Sequence, residues 1–154
     1  MTEKLRNREE ELNLNKQELQ YICYHDAMTG LYNRAFFEVE MLRLEGIKAK
    51  NIGIVVIDLD GLKVVNDTLG HSIGDKLLLD AAKILIENVR DSDVVARIGG
   101  DEFVLLLPNC TLVVIETVCI RINKVSDKLY PPRFNLFSMR KSSSEGYSLS
   151  ELRG

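Results

Sequence analysis

The stretch "ARIGGDEFVLLL", residues 96–107, sets two glycines and two carboxylates between apolar runs. With the preceding "DVVARI" it reads as a hairpin, two β strands folded about a glycine turn, the second closed by Pro108. A tight hairpin turn is satisfied by Asn-Gly or Asp-Gly. Gly99-Gly100-Asp101-Glu102 therefore carries one acid more than the turn requires, and the surplus asks what else stands near it.

Outward from the hairpin the periodicity alternates. "IGIVVIDLD" (52–60) is a nearly continuous β-branched run, the pattern of a strand buried on both sides or nearly so. Before it, Asn33 is placed to cap a helix running to about Ala49, with Phe36, Phe37, Met41 and Leu44 turned inward. From Gly74 to Arg90 the residues Leu77, Leu78, Ala81, Leu85 and Val89 recur at helical spacing. After the hairpin, Thr111 caps a helix carrying Ile115, Val118, Ile122, Val125 and Leu129 on one side, stopped by Pro131-Pro132. A last strand is expected at "FNLFSM" (134–139). This order is the split βαβ pattern of an α+β, ferredoxin-like antiparallel sheet.

Residues 2–24 read as a polar helix ahead of that sheet. Leu5, Leu12 and Leu19, followed by Ile22, mark one edge of a coiled-coil seam, but Arg8 and Asn15 occupy the alternate seam positions. A weak dimer helix and a solvated lead-in, marginal at this length, both fit. Such a helix also suits the connection to an upstream domain. The expected division is residues 1–24 as this helix and 25–154 as one domain, which a chain of 154 residues accommodates.

Composition narrows the function. With 45% apolar and 28% charged residues the chain is of ordinary globular type. Its formal charge of -3 supplies no basic field for nucleic acid, so an anionic substrate needs a local device such as a metal or a nest of backbone N–H groups. The three cysteines, Cys23, Cys110 and Cys119, form no C-x-x-C pair, and reduced thiols in the cytoplasm are the expectation. No apolar run is long enough to span a bilayer, and no membrane contact is expected.

In a split βαβ sheet the first and third strands are antiparallel neighbours. Asp58 and Asp60 close the first, Asp101 and Glu102 open the third, and so four acids are expected at one sheet end. Such crowding raises carboxylate pKa values unless a cation neutralises it. Oxygen ligands without His or Cys favour Mg²⁺ or Mn²⁺ over zinc. Glycines without Cβ atoms let a phosphate-bearing ligand and a metal approach the backbone. The plainer reading, in which these acids only build turns, stays open on spacing alone. "GLKVVNDTLGHSIGD" (61–75) reads as a loop-rich segment flanked by Gly70 and Gly74. Asn66 and Asp75 there can read a guanine edge, the acid accepting from the ring N–H and exocyclic amine. A helix-end amide for Asn66 and an N-cap for Asp75 are the alternatives, and His71 is expected to brace the loop.

Three ordered motifs resemble the GGDEF domain of diguanylate cyclases. "HDAMTGLYNRAFF" (25–37) is similar to the family's D-x-L-T-G-L-x-N-R-x-x-F, with Met28 for Leu; "DLDGLKVVNDTLGHSIGD" (58–75) and "RIGGDEF" (97–103) follow at family spacing. The resemblance covers about residues 24 to 132. It implies a nucleotidyl-cyclase palm that joins two GTP into cyclic di-GMP and releases pyrophosphate. It further implies metal binding by Asp58, Asp101 and the Leu59 carbonyl, guanine contacts from Asn66 and Asp75, and a triphosphate along Gly99 and Gly100. Lys63 falls at a family lysine near the phosphates, although an exposed helix charge is its plain reading. Asp101 or Glu102 would assist proton removal from the attacking 3′-hydroxyl. Each subunit holds one GTP, so turnover requires a homodimer. Arg90 and Asp93 match the family's R-x-x-D product-binding motif, with a helix-terminal salt bridge as the alternative.

The resemblance weakens near the C-terminus. Arg140-Lys141 stands where a family strand of the type S-I-S-I-G has its glycine. Ser148-x-x-Glu151 is a capping box that announces a helix, yet Gly154 ends the sequence within the first turn. The family's final helix carries a Lys and an Arg that contact the phosphates, so a weakly active or inactive chain is expected. A degenerate domain that holds GTP or cyclic di-GMP as a signalling receptor is the alternative.

Overall fold

The central strand of the sheet is paired on both sides, and its two partners come from distant parts of the chain. The computed structural model describes residues 2–130 and 136–144. Its elements are α1 (Thr2–Tyr24), β1 (Tyr32–Asn33), α2 (Arg34–Gly46), β2 (Gly53–Leu59), α3 (Leu62–Leu69), α4 (His71–Glu87), β3 (Val94–Arg97), β4 (Glu102–Leu107), α5 (Leu112–Leu129) and β5 (Phe137–Ser143). The sheet order is β1-β3-β4-β2-β5, with β1 parallel to β3 and every other pair antiparallel. Strands β3, β4, β2 and β5 carry the expected split βαβ order, and β1 extends it by one short edge strand.

One face of the sheet packs under α3, α4 and α5. Val55, Ile57 and Leu59 of β2 and Phe103, Leu105 and Leu107 of β4 meet Leu77, Leu85, Ile115 and Ile122 there. The other face is covered by α2, where Met41 and Leu44 pack with Ile52, Val94 and Leu106. Burial along β2 alternates between buried and half-buried, so the strand is less enclosed on the α2 side than its unbroken apolar run implies.

The expected caps are present. Asn33 accepts from the Phe36 amide at the start of α2, and Thr111 accepts from Val114 at the start of α5. Asn33 also donates from Nδ2 to the Cys23 carbonyl at 2.8 Å, tying the end of α1 to the domain. No residue of α1 is buried. Its junction is aromatic: Tyr21 stacks on His25, His25 meets Tyr32, and Tyr32 stacks on Phe36. The leucine row of α1 lies on the surface.

Three expectations need correction. Segment 61–75 is not a loop but α3 and the opening of α4, joined at Gly70 with φ of 88°. Leu62 and Val65 are buried, and that burial outweighs the weak helix propensity of Asn-Asp-Thr. The last strand is described from Phe137 to Ser143 and so runs past the expected end at Met139, because its register is set by β2; positions 134 and 135 lie outside the described residues. All seven residues from Phe137 to Ser143 pair with β2, and Ser144 closes the end by accepting from the Ile52 amide and donating its own to Ile52. Leu129 is 62% exposed, at the last position of α5. Pro131-Pro132 and the Ser148–Glu151 capping box lie outside the described residues. No helix among the described residues is long and apolar enough to cross a membrane. All three cysteines are free, Cys23 exposed and the others buried.

Candidate functional site

The β2–β4 register brings the acid pairs to one sheet end. Asp58 stands opposite Glu102, and the Leu59 amide donates to the Asp101 carbonyl at 2.8 Å. The glycine turn closes on Glu102, whose carbonyl accepts from the Ile98 and Gly99 amides at 2.9 and 3.3 Å. Gly99 does not face open space: a Cβ there would lie 3.2 Å from Glu102 Oε2. Gly100 has nothing within 4 Å in that direction, so it is the glycine that leaves room for a ligand.

A brace with no role assigned from the sequence holds this turn. Arg97 donates from Nη2 to the Gly100 carbonyl at 2.8 Å and from Nη1 to Asp26 Oδ2 at 3.2 Å. Asp26 Oδ2 also accepts from the Thr29 amide and hydroxyl at 2.8 and 2.7 Å. Asp26 lies in the 25–37 motif and Arg97 in the 97–103 motif, but nothing local says that they meet. Partial burial opposes ionisation of Asp26, yet the Thr29 and Arg97 hydrogen bonds overcome it and hold the carboxyl below its ordinary range. A depressed native pKa gives stability that is complete above the unfolded value, about 3.9, and is lost as pH falls through the native one. Between pH 5 and pH 2 the unaltered chain should therefore lose more stability to urea than Asp26→Asn does; parallel losses would remove the brace from the account.

Helices α3 and α4 supply the other wall. Lys63, Asn66, Asp75, Arg97, Gly100 and Asp101 line a groove of about 440 Å³. Asn66 lies in the last turns of α3, and its Oδ1 is buried without a hydrogen-bond partner among the described residues. It packs against Gly74, where a Cβ would overlap that oxygen. Asp75 is no N-cap, because α4 already begins at His71 behind Gly70. His71 shares the groove but has no loop to brace.

Asp58, Leu59, Gly99 and Glu102 are not among the residues that line this groove. Asp58 and Glu102 share the α2 side of the sheet, while Asp60 is exposed beyond β2 with its amide donating to the Leu136 carbonyl. The four acids thus converge in backbone register and not as a closed cluster. Among the described residues no group of three or more His, Cys, Asp or Glu side chains is placed to hold a metal. Two carboxylates with a main-chain carbonyl nevertheless fit Mg²⁺, which takes one or two carboxylates and completes its shell with water and phosphate oxygens.

Arg90 and Asp93 lie elsewhere, toward the other end of β4. They form an ion pair at 2.8 Å, Asp93 also accepts from the Arg90 amide at 2.8 Å, and Arg90 donates to the Pro108 carbonyl at 2.7 Å. This is the geometry of the helix-terminal alternative. The pair faces a cleft of about 200 Å³ shared with Thr117 and Arg121 of α5. Nothing in the local sequence distinguishes Arg121, which sits at an exposed position of α5.

Comparison with known proteins identifies the family. A family model described as "Diguanylate cyclase, GGDEF domain" matches residues 23–136. The chain belongs to the GGDEF family. It is 43% identical over 109 residues to DgcE of Escherichia coli K12, a probable diguanylate cyclase, covering 69% of this chain and 10% of that protein. It thus spans only about a tenth of that relative's length. The solved GGDEF domain of TpbB (YfiN) from Pseudomonas aeruginosa PAO1 is 33% identical with a TM-score of 0.65, covering 77% of this chain and 73% of that one. The coiled coil and GGDEF domain of DgcB from Caulobacter crescentus, solved with c-di-GMP, gives a TM-score of 0.82 over 97% of this chain and 85% of that one; at 23% identity it speaks for the fold alone. GGDEF membership supports cyclic di-GMP synthesis at the level of the family.

Proposed function

We propose that this chain carries a diguanylate cyclase domain that condenses two GTP into cyclic di-GMP with release of pyrophosphate. The observation that carries the reading is the strand register joining Leu59 to Asp101 and Asp58 to Glu102, beside a groove lined by Lys63, Asn66 and Asp75. Asp58, Asp101 and the Leu59 carbonyl hold Mg²⁺ or Mn²⁺. When bound, the metal polarises the α-phosphate and favours ionisation of an incoming 3′-hydroxyl. Asp75 accepts from guanine N–H groups and the Asn66 amide completes the edge. Lys63 and the open backbone at Gly100, continued by Gly99, take the phosphates. Asp101 or Glu102 accepts the 3′-hydroxyl proton.

One domain holds one GTP, so two copies face each other across a two-fold axis, with α1 governing their approach and linking to an upstream sensor domain. Arg90 and Asp93 hold cyclic di-GMP as a feedback inhibitor, which requires it to displace Arg90 from its present partners.

The test is direct: incubate the purified chain with GTP and Mg²⁺ and separate the nucleotides by chromatography. Cyclic di-GMP with pyrophosphate is expected. GTP that binds but stays unchanged would favour a receptor domain, and absence of binding would end the reading. Gly74→Ala bears on the guanine contact, since its methyl must displace Asn66. It should weaken GTP binding about tenfold, the equivalent of one lost hydrogen bond in a buried site; calorimetric titration that finds unchanged affinity would remove Asn66 from recognition.

A further inference from the structure

Resting on that reading of the site, we infer that Arg140 of β5 is a phosphate-binding cation, reaching the outer phosphates of the metal-bound nucleotide from the α2 side of the sheet. The register places it. Ser138 pairs with Asp58, and Arg140 with Val56; on the other flank of β2, Glu102 pairs with Asp58 and Val104 with Val56. Directly opposed residues in an antiparallel ladder share a face. Glu102, Asp58 and Ser138 therefore form one row across three strands, and Val104, Val56 and Arg140 form the next. Arg140 stands diagonal to Asp58, about 7–8 Å away between main chains, within reach of a side chain as long as arginine.

Three further observations give this cation a purpose. Helix α2 lies mainly over β1 and β3, with Met41 and Leu44 against Ile52, Val94 and Leu106, and Arg140 is exposed. It has no ion-pair partner among the described residues. The groove needs positive charge: of its two described Lys or Arg residues, Arg97 is committed to Asp26 and Gly100, leaving Lys63 alone. A triphosphate remains strongly anionic after one divalent ion, and a guanidinium can grip it through two parallel hydrogen bonds.

The competing account is that β5, an edge strand, carries a charge only to discourage pairing with other chains. Glutamate serves that purpose as well as arginine, and the two accounts then diverge. Lys141 is a built-in control, since it pairs with Val55 and so takes the face turned to α5. Calorimetric titrations of the full chain with GTP and with GMP, both in Mg²⁺, test the assignment. Arg140→Gln should weaken GTP binding about tenfold and Arg140→Glu more, with GMP little changed and Lys141→Gln without effect. Arg140→Lys should recover part of the loss. Unchanged or tighter GTP binding by Arg140→Gln would overturn the assignment, as would equal losses for GTP and GMP. If Asp58→Asn weakens GTP in the same series while Arg140→Gln does not, the assignment falls and the cyclase reading stands. Failure of the unaltered chain to bind GTP would overturn both.

Discussion

Replacing Asp101 by alanine is expected to abolish cyclic di-GMP formation, by a hundredfold or more, while the domain stays folded. The two effects separate because the residue acts through different atoms. Its main-chain carbonyl accepts from Leu59 and helps hold β4 to β2, and alanine keeps that carbonyl. Its exposed carboxylate makes no hydrogen bond or ion pair to a described residue, so its loss costs the fold little. What is removed is a metal ligand and a candidate proton acceptor, and general acid–base catalysis alone accounts for about 10²–10⁴ in rate. Product yield by chromatography and a urea unfolding curve together decide the point. Turnover within a few-fold of the unaltered chain would take the Asp101 carboxylate out of the chemistry.

Phe103→Ala should produce the opposite pattern, a loss of stability of about 3–5 kcal/mol. Phe103 has 0% exposure and is among the largest fully buried side chains. It pairs with Ile57 on one flank and Arg97 on the other, so it joins both hairpin strands to the central strand. Native domains hold about 5–15 kcal/mol in all, so this one ring represents a large share. Urea denaturation should move to a markedly lower midpoint with little change in slope. A loss below about 1 kcal/mol would mean that the core under α4 and α5 closes over the gap, contrary to the packing described.

Much of the fold is legible in local pattern. Asn33 and Thr111 announce their helices because capping is a short-range event, and the glycine turn announces its hairpin for the same reason. The meeting of Asp58 with Glu102 follows once the split βαβ order is recognised, since topology alone dictates that neighbourhood. Other features are invisible to local reading. Helix α3 reads locally as loop-rich because Gly61 and Gly70 punctuate it and Asn66-Asp67-Thr68 are poor helix formers, whereas its formation depends on burying Leu62 and Val65. The strand β5 has no apolar alternation beyond Met139 and owes its register to the free edge of β2. In the site, spacing puts Asn66 and Asp75 together. It does not show that Gly74 must lack a side chain for Asn66 to sit there, nor that Asp26 and Arg97 tie a distant loop to the glycine turn. Those relations are contacts between helices and across strands, and only packing creates them.

The central position of β2 also governs the order in which this protein can acquire its chemistry. Its two flanking pairings close long stretches of chain, and such non-local closures are the slow events of folding. Asp58 and Asp101 are not neighbours until β2 pairs with β4, and Arg140 is not beside β2 until β2 pairs with β5. Before the β2–β4 pairing forms, a nascent chain thus has no juxtaposed acids with which to capture a metal-bound nucleotide. Whatever binds there draws on the cooperativity of the whole sheet, and by mass action its affinity for the native state is returned as resistance of the entire domain to unfolding.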